Sequence, residues 1–491
     1  MSESCVVEQS VLIEAGSVAA GSPGPKAPVN KTFRVYDQDQ PMLLPPDLRD
    51  WVAPEHPARM VDDLVEHGLD LSAVYAGYTE VRGAPPYDPR LMLKILIYGY
   101  SHGITSSRAL ERRCQDDIAF RFLTAQAAPD FVAIARFRTR HGQALKQLFV
   151  QSLALCARAG LVSLGRVALD GTKVRASASR HRAMSYDRMV RAEAELAGEV
   201  EQLMADAERI DAAEDAAYGA DRRGDELPAE LTRRQNRLAV IRKAKAALEA
   251  EYAAAARAAA EQAAAERGQD AGQVADAGAA AEQEAVVPDK AQRSFTDSDA
   301  RIMKTSDGSF HYCYNAQAIV DEHSQVILAG ALRQSGADCV ALPDMLDMLT
   351  AALTAAGIDG LPRTLLADAG YFSADNINAA LAAGIDPLIA TGRLKHGQQP
   401  ASAPRGRIPD GLTPKQLMAR KLLTKKGQAD YVRRKAIVEP VFGQIQVAQN
   451  GDQLRLRGTV KADFENAFHR ACHNFRKLFA SGWTPAQPVL A

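Results

Sequence analysis

The stretch VALDGTKVRASAS, residues 167–179, decides how the fold is interpreted. A short apolar run reaches Asp170, Gly171 follows, and the next residues are small or basic. Asp-Gly is a strong turn dipeptide, so a hairpin turn is one interpretation. The other is a carboxylate at the end of a buried strand, beside a glycine that lets a bulky group come close. The rest of the chain decides between them.

The composition excludes several classes of protein. The chain has 491 residues, enough for about two to four domains of roughly 100–200 residues each. It carries 59 basic and 60 acidic residues, so any binding of nucleic acid has to come from local basic patches. The six cysteines form no CxxC pair, which argues against a disulfide scaffold or a zinc ribbon. The opening MSESCVVEQSVLIEAG lacks the features of a signal peptide, and no apolar stretch reaches about 18 residues, so we expect a cytoplasmic protein.

The two ends of the chain and its first helical region have distinct patterns. Residues 1–40 are small, polar and interrupted by Pro and Gly, which predicts a mobile leader, and 481–491 form a tail. Residues 41–160 show helical spacing, and 102–141 within them hold seven arginines against four acids. The helix-turn-helix spacing there favours a helical DNA-binding domain. An ordinary helical domain with a solvated arginine face is the other interpretation.

Residues 181–290 predict an insertion. Between 191 and 290, 33 of 100 positions are alanine, and Glu, Arg and Lys are frequent. Apolar residues at heptad spacing occur in two segments that flank YGADRRGDELPAE, which indicates an antiparallel helical hairpin. The strip 266–290 lacks this periodicity, so we expect the insertion to have a flexible end.

The segments 161–180 and 291–480 alternate strands and helices. Two strand-like runs at 309–321 and 325–334 are joined by EHS, which predicts a hairpin. A helix follows, then the short apolar run RTLLADAGYF, a helix capped by Ser373 and the buried strand DPLIATG. This order predicts an α/β fold with a mixed sheet.

Three carboxylates stand out in these segments. Asp170 and Asp368 each end a short apolar run, and open α/β sheets bind ligands at the carboxyl ends of their strands. Glu439 precedes Pro440, which fits the first turn of a helix. The ordinary alternatives are a strand-terminating turn for either Asp and a favourable helix-dipole charge for Glu439. Glu439 lies beside an apolar stripe at helical spacing, made by Val438, Val441, Phe442 and Ile445.

Three adjacent carboxylates would repel one another, and a divalent cation would remove that cost. Hard oxygen ligands favour Mg²⁺ or Mn²⁺ over zinc. Two such ions about 4 Å apart can activate a water or a 3′-hydroxyl and stabilise the leaving oxygen at a phosphodiester. Asp170, Asp368 and Glu439 therefore fit an RNase H-like arrangement for phosphoryl transfer.

The chain resembles the DDE transposases of bacterial insertion sequences, especially the branch numbered 1182, related to the insertion-sequence four/five superfamily. The motifs are DGTKVRASAS, DARIMK with YNAQAIVD, LLADAGYFS and R-x4-EPVFGQI, and the resemblance covers nearly all of residues 40–480. It implies an RNase H-like core in which Asp170, Asp368 and Glu439 are catalytic and bind two metal ions. It also implies cleavage at terminal inverted repeats, strand transfer into target DNA, a homodimer or higher oligomer on DNA, and association with the bacterial nucleoid.

The family's Tyr, Arg, Glu, Lys signature corresponds to Tyr431, Arg434, Glu439 and Gln446. The chain thus has Gln at the position where the family has Lys. Gln can still hydrogen-bond a phosphate or a base edge.

A basic segment precedes Glu439. Residues 404–435 contain ten Lys or Arg against two Asp, the clearest polyanion-binding feature of the chain, although a solvated charged loop is the ordinary alternative. For the two amides on the strand YNAQAIVD, plain sheet hydrogen bonding is the alternative to lining the cleft. The predicted DNA contacts are Lys173, Arg175, Asn315, Gln317, Tyr431, Arg433, Arg434, Lys435 and Gln446.

The segment HRACH, residues 469–473, has two histidines at metal-ligand spacing. It lies on an apolar helical stripe and lacks a fourth ligand, so we predict a packing helix.

The sequence leaves two rival functions open. One is a catalytically inactive, domesticated DNA-binding protein, for which Gln446 is the hint. The other is a related metal-dependent nuclease that cuts DNA without joining it.

Overall fold

The first part of the chain is helical, as predicted. The structure is a computed structural model and describes residues 47–79, 85–179, 182–218, 229–305, 307–392, 403–409 and 411–483. The predicted leader and most of the predicted tail lie outside these residues. The helices that precede the sheet are α1 (Leu48–Trp51), α2 (Pro57–Asp63), α3 (Ser72–Tyr75), α4 (Pro89–Ser101), α5 (Ser107–Asp116), α6 (Ile118–Leu123), α7 (Phe131–Arg140) and α8 (Gly142–Arg158).

Helix α4 is the buried centre of this region. Asp88 caps it by accepting a hydrogen bond of 2.8 Å from the backbone N–H of Arg90, and Pro89 occupies the first turn. Nearly all of its later residues are buried, including Tyr100. The prediction of a buried helix here is confirmed.

A mixed sheet forms the core of the molecule. The strands are β1 (Arg166–Arg175), β2 (Ala183–Ser185), β3 (Gln292–Ser294), β4 (Arg301–Lys304), β5 (Phe310–Asp321), β6 (Ile327–Arg333), β7 (Thr364–Ala367) and β8 (Asp386–Ile389). The order in the main sheet is β4, β5, β1, β7, β8, with β6 also paired to β5, while β2 and β3 form a separate ribbon. Strands β1, β7 and β8 are parallel, and β5 runs antiparallel to both β1 and β6. This mixed α/β arrangement is consistent with an RNase H-like core.

Strand β1 answers the question raised by its Asp-Gly pair. The strand does not end at Asp170, because its pairing with β5 continues through Gly171 to Arg175. Its parallel pairing with β7 stops at Leu169 opposite Ala367. Both sequence interpretations were therefore wrong about the strand's end, while the position of Asp170 at the end of the parallel pairing agrees with the second.

Further helices cover the sheet. They are α12 (Leu342–Ala355), α13 (Ala374–Ala382), α14 (Pro414–Leu423), α15 (Lys425–Gly443) and α16 (Thr459–Ala480). The Ser373 hydroxyl caps α13 by accepting a hydrogen bond of 3.0 Å from the N–H of Asn376, as predicted. Helix α16 packs against α8, α4 and β6, and its middle is almost wholly buried.

The insertion forms the predicted helical hairpin. Its long helices are α9 (Tyr186–Tyr218) and α10 (Ala229–Glu266), which share an apolar cluster containing Leu196, Val200, Leu238 and Ile241. Ion pairs between them show the antiparallel direction. Glu193 pairs with Arg242 at 3.0 Å, whereas the later Glu199 pairs with the earlier Arg234.

The end of the insertion differs from the prediction. Residues Ala271–Gln283 form a further helix, α11, rather than a flexible strip. Asp270 and Gln273 make a reciprocal capping box at its start, and Glu282 pairs with Arg257 of α10 at 3.1 Å. Small alanines let α11 lie close to α10 without the large apolar residues that periodicity arguments look for.

Pro440 also corrects the sequence analysis, because it lies near the end of α15 rather than in its first turn. The part of the chain from Leu48 onward forms one compact unit. Within the described residues, no helix is both long and apolar enough to cross a membrane.

Candidate catalytic site

Asp170 lies at the point where the sheet opens between β1 and β7. Its Oδ1 accepts a hydrogen bond of 2.8 Å from the N–H of Gly171. Its Oδ2 accepts one of 2.7 Å from the guanidinium of Arg434 on α15. Burial is the main reason why the pKa of Asp170 is raised. The charge of Asp368 adds to that increase, while Gly171 and Arg434 oppose it.

Asp368 follows β7 directly, on the strand that pairs with β1. It begins the 3₁₀ turn Ala369–Tyr371, and its Oδ1 accepts a hydrogen bond of 2.8 Å from the N–H of Gly370. The parallel register places Asp170 and Asp368 one residue beyond the last paired positions, Leu169 and Ala367. The structure therefore brings these two predicted site residues to one edge of the sheet.

Helix α15 supplies two more residues of the signature. Arg434 is buried against Asp170, and burial alone would lower its pKa, but the charges of Asp170 and Tyr431 raise it. Tyr431 is partly buried one turn earlier, and burial raises its pKa. The charge of Arg434 lowers this pKa, and the charge of Asp368 raises it. Asp170, Asp368, Tyr431 and Arg434 thus share one electrostatic environment.

Glu439 lies on the exposed side of α15. Among the described residues, no group of three or more His, Cys, Asp or Glu side chains is arranged so that it could hold a metal ion. The role of Glu439 in a carboxylate triad accordingly stays a prediction.

The predicted DNA contacts next to Asp170 have protein partners. Gln446, in the π-helical turn Gln444–Ala448, donates a hydrogen bond of 2.8 Å to the hydroxyl of Thr172. Lys173 donates one of 3.1 Å to the carbonyl of Gly336, and Arg175 pairs with Asp452. Each contact fixes a side chain whose role toward DNA stays a prediction.

Asn315 and Gln317 lie on β5 beside β1, as the cleft-lining interpretation requires. Their exposures are 0% and 1%, so both amides face the protein interior rather than a duplex. Both side chains are buried here, and their assignment as DNA contacts stays a prediction. Both donate to Asp338 Oδ1, Asn315 at 2.8 Å and Gln317 at 2.9 Å.

Sequence reasoning missed Asp338 and Tyr371. Burial raises the pKa of Tyr371, and the charges of Asp338, Asp170 and Asp368 raise it further, so all three carboxylates lie near one phenol. The available signal was the pair of amides on the buried strand YNAQAIVD, because buried amides require polar partners. Nothing local pointed to Asp338 as that partner.

The basic segment before Glu439 is only partly available to a ligand. Arg433 pairs with Glu322 at 2.7 Å, and Arg420 donates to the carbonyl of Gly406 at 2.9 Å. Lys421 donates to the carbonyl of Pro387 at 2.7 Å. The segment's other exposed basic side chains are Arg405, Arg407, Lys415, Lys425, Lys426 and Lys435.

Some arginines of the N-terminal region are likewise buried in protein contacts, and others are exposed. Arg138 is buried and donates to the hydroxyl of Tyr100 and the carbonyl of Thr105, each at 2.8 Å. Arg112 and Arg113 on α5 are exposed, and together with Asn450 they line an open groove. Only part of the predicted basic surface is therefore exposed, and Arg113 within it pairs with Asp117 at 3.4 Å.

HRACH is a packing segment, as predicted. His469 and His473 are each 1% exposed within α16. Burial lowers the pKa of His469 to about 3 and that of His473 to about 4.

The mixed α/β fold and the paired aspartates are consistent with a DDE-type transposition enzyme, and the class is given by comparison with known families. Residues 46–140 match the family described as Transposase domain (DUF772), and residues 288–475 match the Transposase DDE domain. The second range includes Asp368 and Glu439, while Asp170 lies before the inserted hairpin and outside it. No curated protein and no solved structure matches the chain.

The chain belongs to the DDE transposases of insertion sequences, for which the two matched domains are typical.

Proposed function

We propose that this transposase cuts DNA at the inverted repeats of its element and joins the ends to target DNA, with Asp170, Asp368 and Glu439 as catalytic carboxylates. The main support is that Asp170 on β1 and Asp368, directly after β7, lie together where the pairing of these two strands ends. Ligands of open α/β sheets bind at this kind of edge. A phosphodiester there would lie beside two carboxylates and the guanidinium of Arg434.

DDE transposases generally use divalent metal ions, and carboxylate oxygens are the donors that a hard cation prefers. Asp170 and Asp368 offer carboxylate oxygens, and burial together with the charge of Asp368 raises the pKa of Asp170. Asp170, Asp368 and Glu439 would hold two Mg²⁺ or Mn²⁺ ions. Bound cations would supply an activated water or 3′-hydroxyl and stabilisation of the leaving oxygen.

The protein's own groups orient the reacting centre. Arg434 compensates the charge of Asp170 and fixes its carboxylate through the 2.7 Å contact. The exposed basic side chains of the segment before Glu439 would bind the DNA backbone, because each can neutralise a phosphate. Arg112 and Arg113 of α5 would provide a second contact region, and assembly on DNA would be as a homodimer or higher oligomer.

The test uses the full chain and DNA carrying the element's own ends. Asp170→Asn, Asp368→Asn and Glu439→Gln should each lower cleavage at least 10³-fold, by about 4 kcal/mol, and leave end binding unchanged. The matched control is Asp375→Asn, which removes an exposed carboxylate in the first turn of α13. Cleavage by any one variant at the wild-type rate removes that residue from the catalytic set.

The same assay separates the rival functions. Cleavage without joined product supports a nuclease, and end binding without cleavage by the wild type supports an inactive DNA-binding protein. Gln446→Lys restores the family's residue, so a gain of cleavage in that variant alone would identify Gln446 as the cause of inactivity.

A further inference from the structure

Asp338 lies in the loop between β6 and α12, where its partly exposed carboxylate accepts hydrogen bonds from two buried amides. The Asn315 and Gln317 amides both donate to its Oδ1, at 2.8 and 2.9 Å. Asn315 also donates to the carbonyl of Ser335 at 3.2 Å. Two fully buried amides directed at a single oxygen hold the carboxylate in one orientation.

Gln317 connects Asp338 to the turn that carries Asp368. The hydroxyl of Tyr371, itself 0% exposed, donates to Gln317 Oε1. Tyr371 is the last residue of the 3₁₀ turn that begins after Asp368. A relay of hydrogen bonds therefore runs from Tyr371 through Gln317 to Asp338.

A second connection joins the same two segments through the backbone. The Asn376 amide donates to the carbonyls of Tyr371 and Cys339, each at 2.7 Å. Cys339 is the residue after Asp338, so the loop and the turn are tied together at two points. Movement of the loop would be transmitted to Asp368.

The strand of Asp170 also passes close to the same carboxylate. A Cβ atom added to Gly171 would lie 3.0 Å from Asp338 Oδ1 and 2.9 Å from Asn315 Oδ1. A Cβ at Gly370 would lie 3.4 Å from Asp338 Oδ2 and 3.0 Å from Asp368 Oδ1. Asp338 thus fits between two glycines, one next to each catalytic aspartate.

We propose that Asp338 is a positioning residue of the catalytic centre, which sets the placement of the Asp368 turn relative to the Asp170 strand by accepting hydrogen bonds at Oδ1. The inference rests on the proposed function, because it assigns Asp338 to the reaction of Asp170 and Asp368. The acceptor oxygen, rather than the negative charge, performs this role.

The test compares Asp338→Asn with Asp338→Ala. Asparagine keeps an acceptor oxygen for both amides and removes the charge, whereas alanine removes the acceptor. We expect Asp338→Ala to lower cleavage at least tenfold and Asp338→Asn to stay within about threefold of wild type. Asp344→Ala is the control, since it removes an exposed carboxylate of α12 that pairs with Arg333.

Hydrogen–deuterium exchange gives a readout that does not depend on cleavage. Asp338→Ala should increase exchange at residues 369–372, and Asp338→Asn and Asp344→Ala should leave it unchanged. If Asp338→Ala fails to fold, Tyr371→Phe removes a single hydroxyl from the other end of the relay and should produce the same loss of protection and of cleavage.

The outcomes separate the inference from the proposed function. Wild-type cleavage and exchange in Asp338→Ala overturn the positioning role. Equal loss of cleavage in Asp338→Asn and Asp338→Ala overturns it in favour of a role for the charge. If the wild-type protein does not cleave DNA but Asp338→Ala alters exchange as expected, the hydrogen-bond relay is supported and the proposed function is rejected.

Discussion

Gly171 lies where the strand of Asp170 runs against the side-chain amides of the neighbouring strand. An added Cβ would meet the amide nitrogen of Gln317 as well as Asn315 and Asp338. The Asp-Gly pair is therefore explained by packing, since the glycine makes room for a buried polar cluster within a continuous strand.

Gly171→Ala should destabilise the protein and impair cleavage. The new methyl group forces the amides of Gln317 and Asn315 away from Asp338, at a cost of about 1–3 kcal/mol in the free energy of unfolding. Urea denaturation and the cleavage assay measure the two effects. Gly165→Ala is the control, because its nearest atoms would be 3.7 and 3.8 Å from the added Cβ. An unchanged denaturation midpoint for Gly171→Ala would show that the cluster is not tightly packed.

Helix α15 tolerates an interior proline because another element replaces the lost hydrogen bond. Pro440 has no N–H to donate to the carbonyl of Ala436, four residues earlier. The Gln325 side chain, in the turn between β5 and β6, donates to that carbonyl at 3.0 Å. Lys477 of α16 in turn donates to Gln325 Oε1 at 2.9 Å. The proline is thus accommodated by tertiary structure.

This compensation predicts coupling between Gln325 and Pro440. Gln325→Met removes the donor at similar length and should lower the free energy of unfolding by about 1 kcal/mol. In the Pro440→Ala background the backbone N–H is restored, so Gln325→Met should cost about half as much or less. Denaturant unfolding of the four proteins of the cycle gives the coupling energy. Strictly additive effects would mean that Gln325 does not serve the Ala436 carbonyl.

The elements that sequence reasoning found are those whose signal is local. The short apolar run before Asp368, the Ser373 cap and the heptad pattern of the hairpin are each carried by neighbouring residues. The helix α11 was missed because alanines give little periodicity, although the Asp270 and Gln273 capping box was visible in the sequence. Pro440 was misplaced because its compensating donor, Gln325, comes from a distant segment.

In the candidate site, too, the residues with a local signal were predictable and those that depend on distant partners were not. Asp170 and Asp368 were predictable because parallel strands bring their carboxyl ends to one edge of the sheet. Asp338 was not, since its partners Asn315 and Gln317 come from another strand and its own loop has no periodic pattern. The predicted end of β1 at Asp170 was wrong, because pairing with β5 extends the strand past this residue.

At the scale of the whole molecule, α16 joins the helical region to the sheet. The hydroxyl of Tyr100 on α4 donates to Glu465 Oε1 at 3.2 Å and accepts from Arg138 of α7 at 2.8 Å. Further along α16, His473 donates through Nε2 to the carbonyl of Gln325 at 2.9 Å. Since α16 contacts both regions through buried polar groups, their stabilities should be linked.

The buried histidines of α16 make this linkage depend on pH. Burial lowers the pKa of His469 to about 3 and that of His473 to about 4, and nearby arginine charges act in the same direction. Both histidines are therefore neutral in the folded protein, whereas in the unfolded chain they take up a proton near pH 6.5. Their contribution to the free energy of unfolding is present above about pH 6.5. It is lost as the pH falls toward 4, because the unfolded state then binds more protons than the folded state.

We expect the free energy of unfolding to fall between pH 7 and pH 5 by about 1–2 kcal/mol for each histidine. In His473→Gln, which keeps a donor for the Gln325 carbonyl and cannot titrate, this loss should be smaller by that amount. His67→Gln is the control, since its side chain is exposed in the folded protein and should leave the slope unchanged. Urea denaturation at pH 5, 6 and 7 measures the slope. A His473→Gln slope equal to that of wild type would show that His473 takes up its proton equally well in the folded and the unfolded protein, which contradicts this prediction.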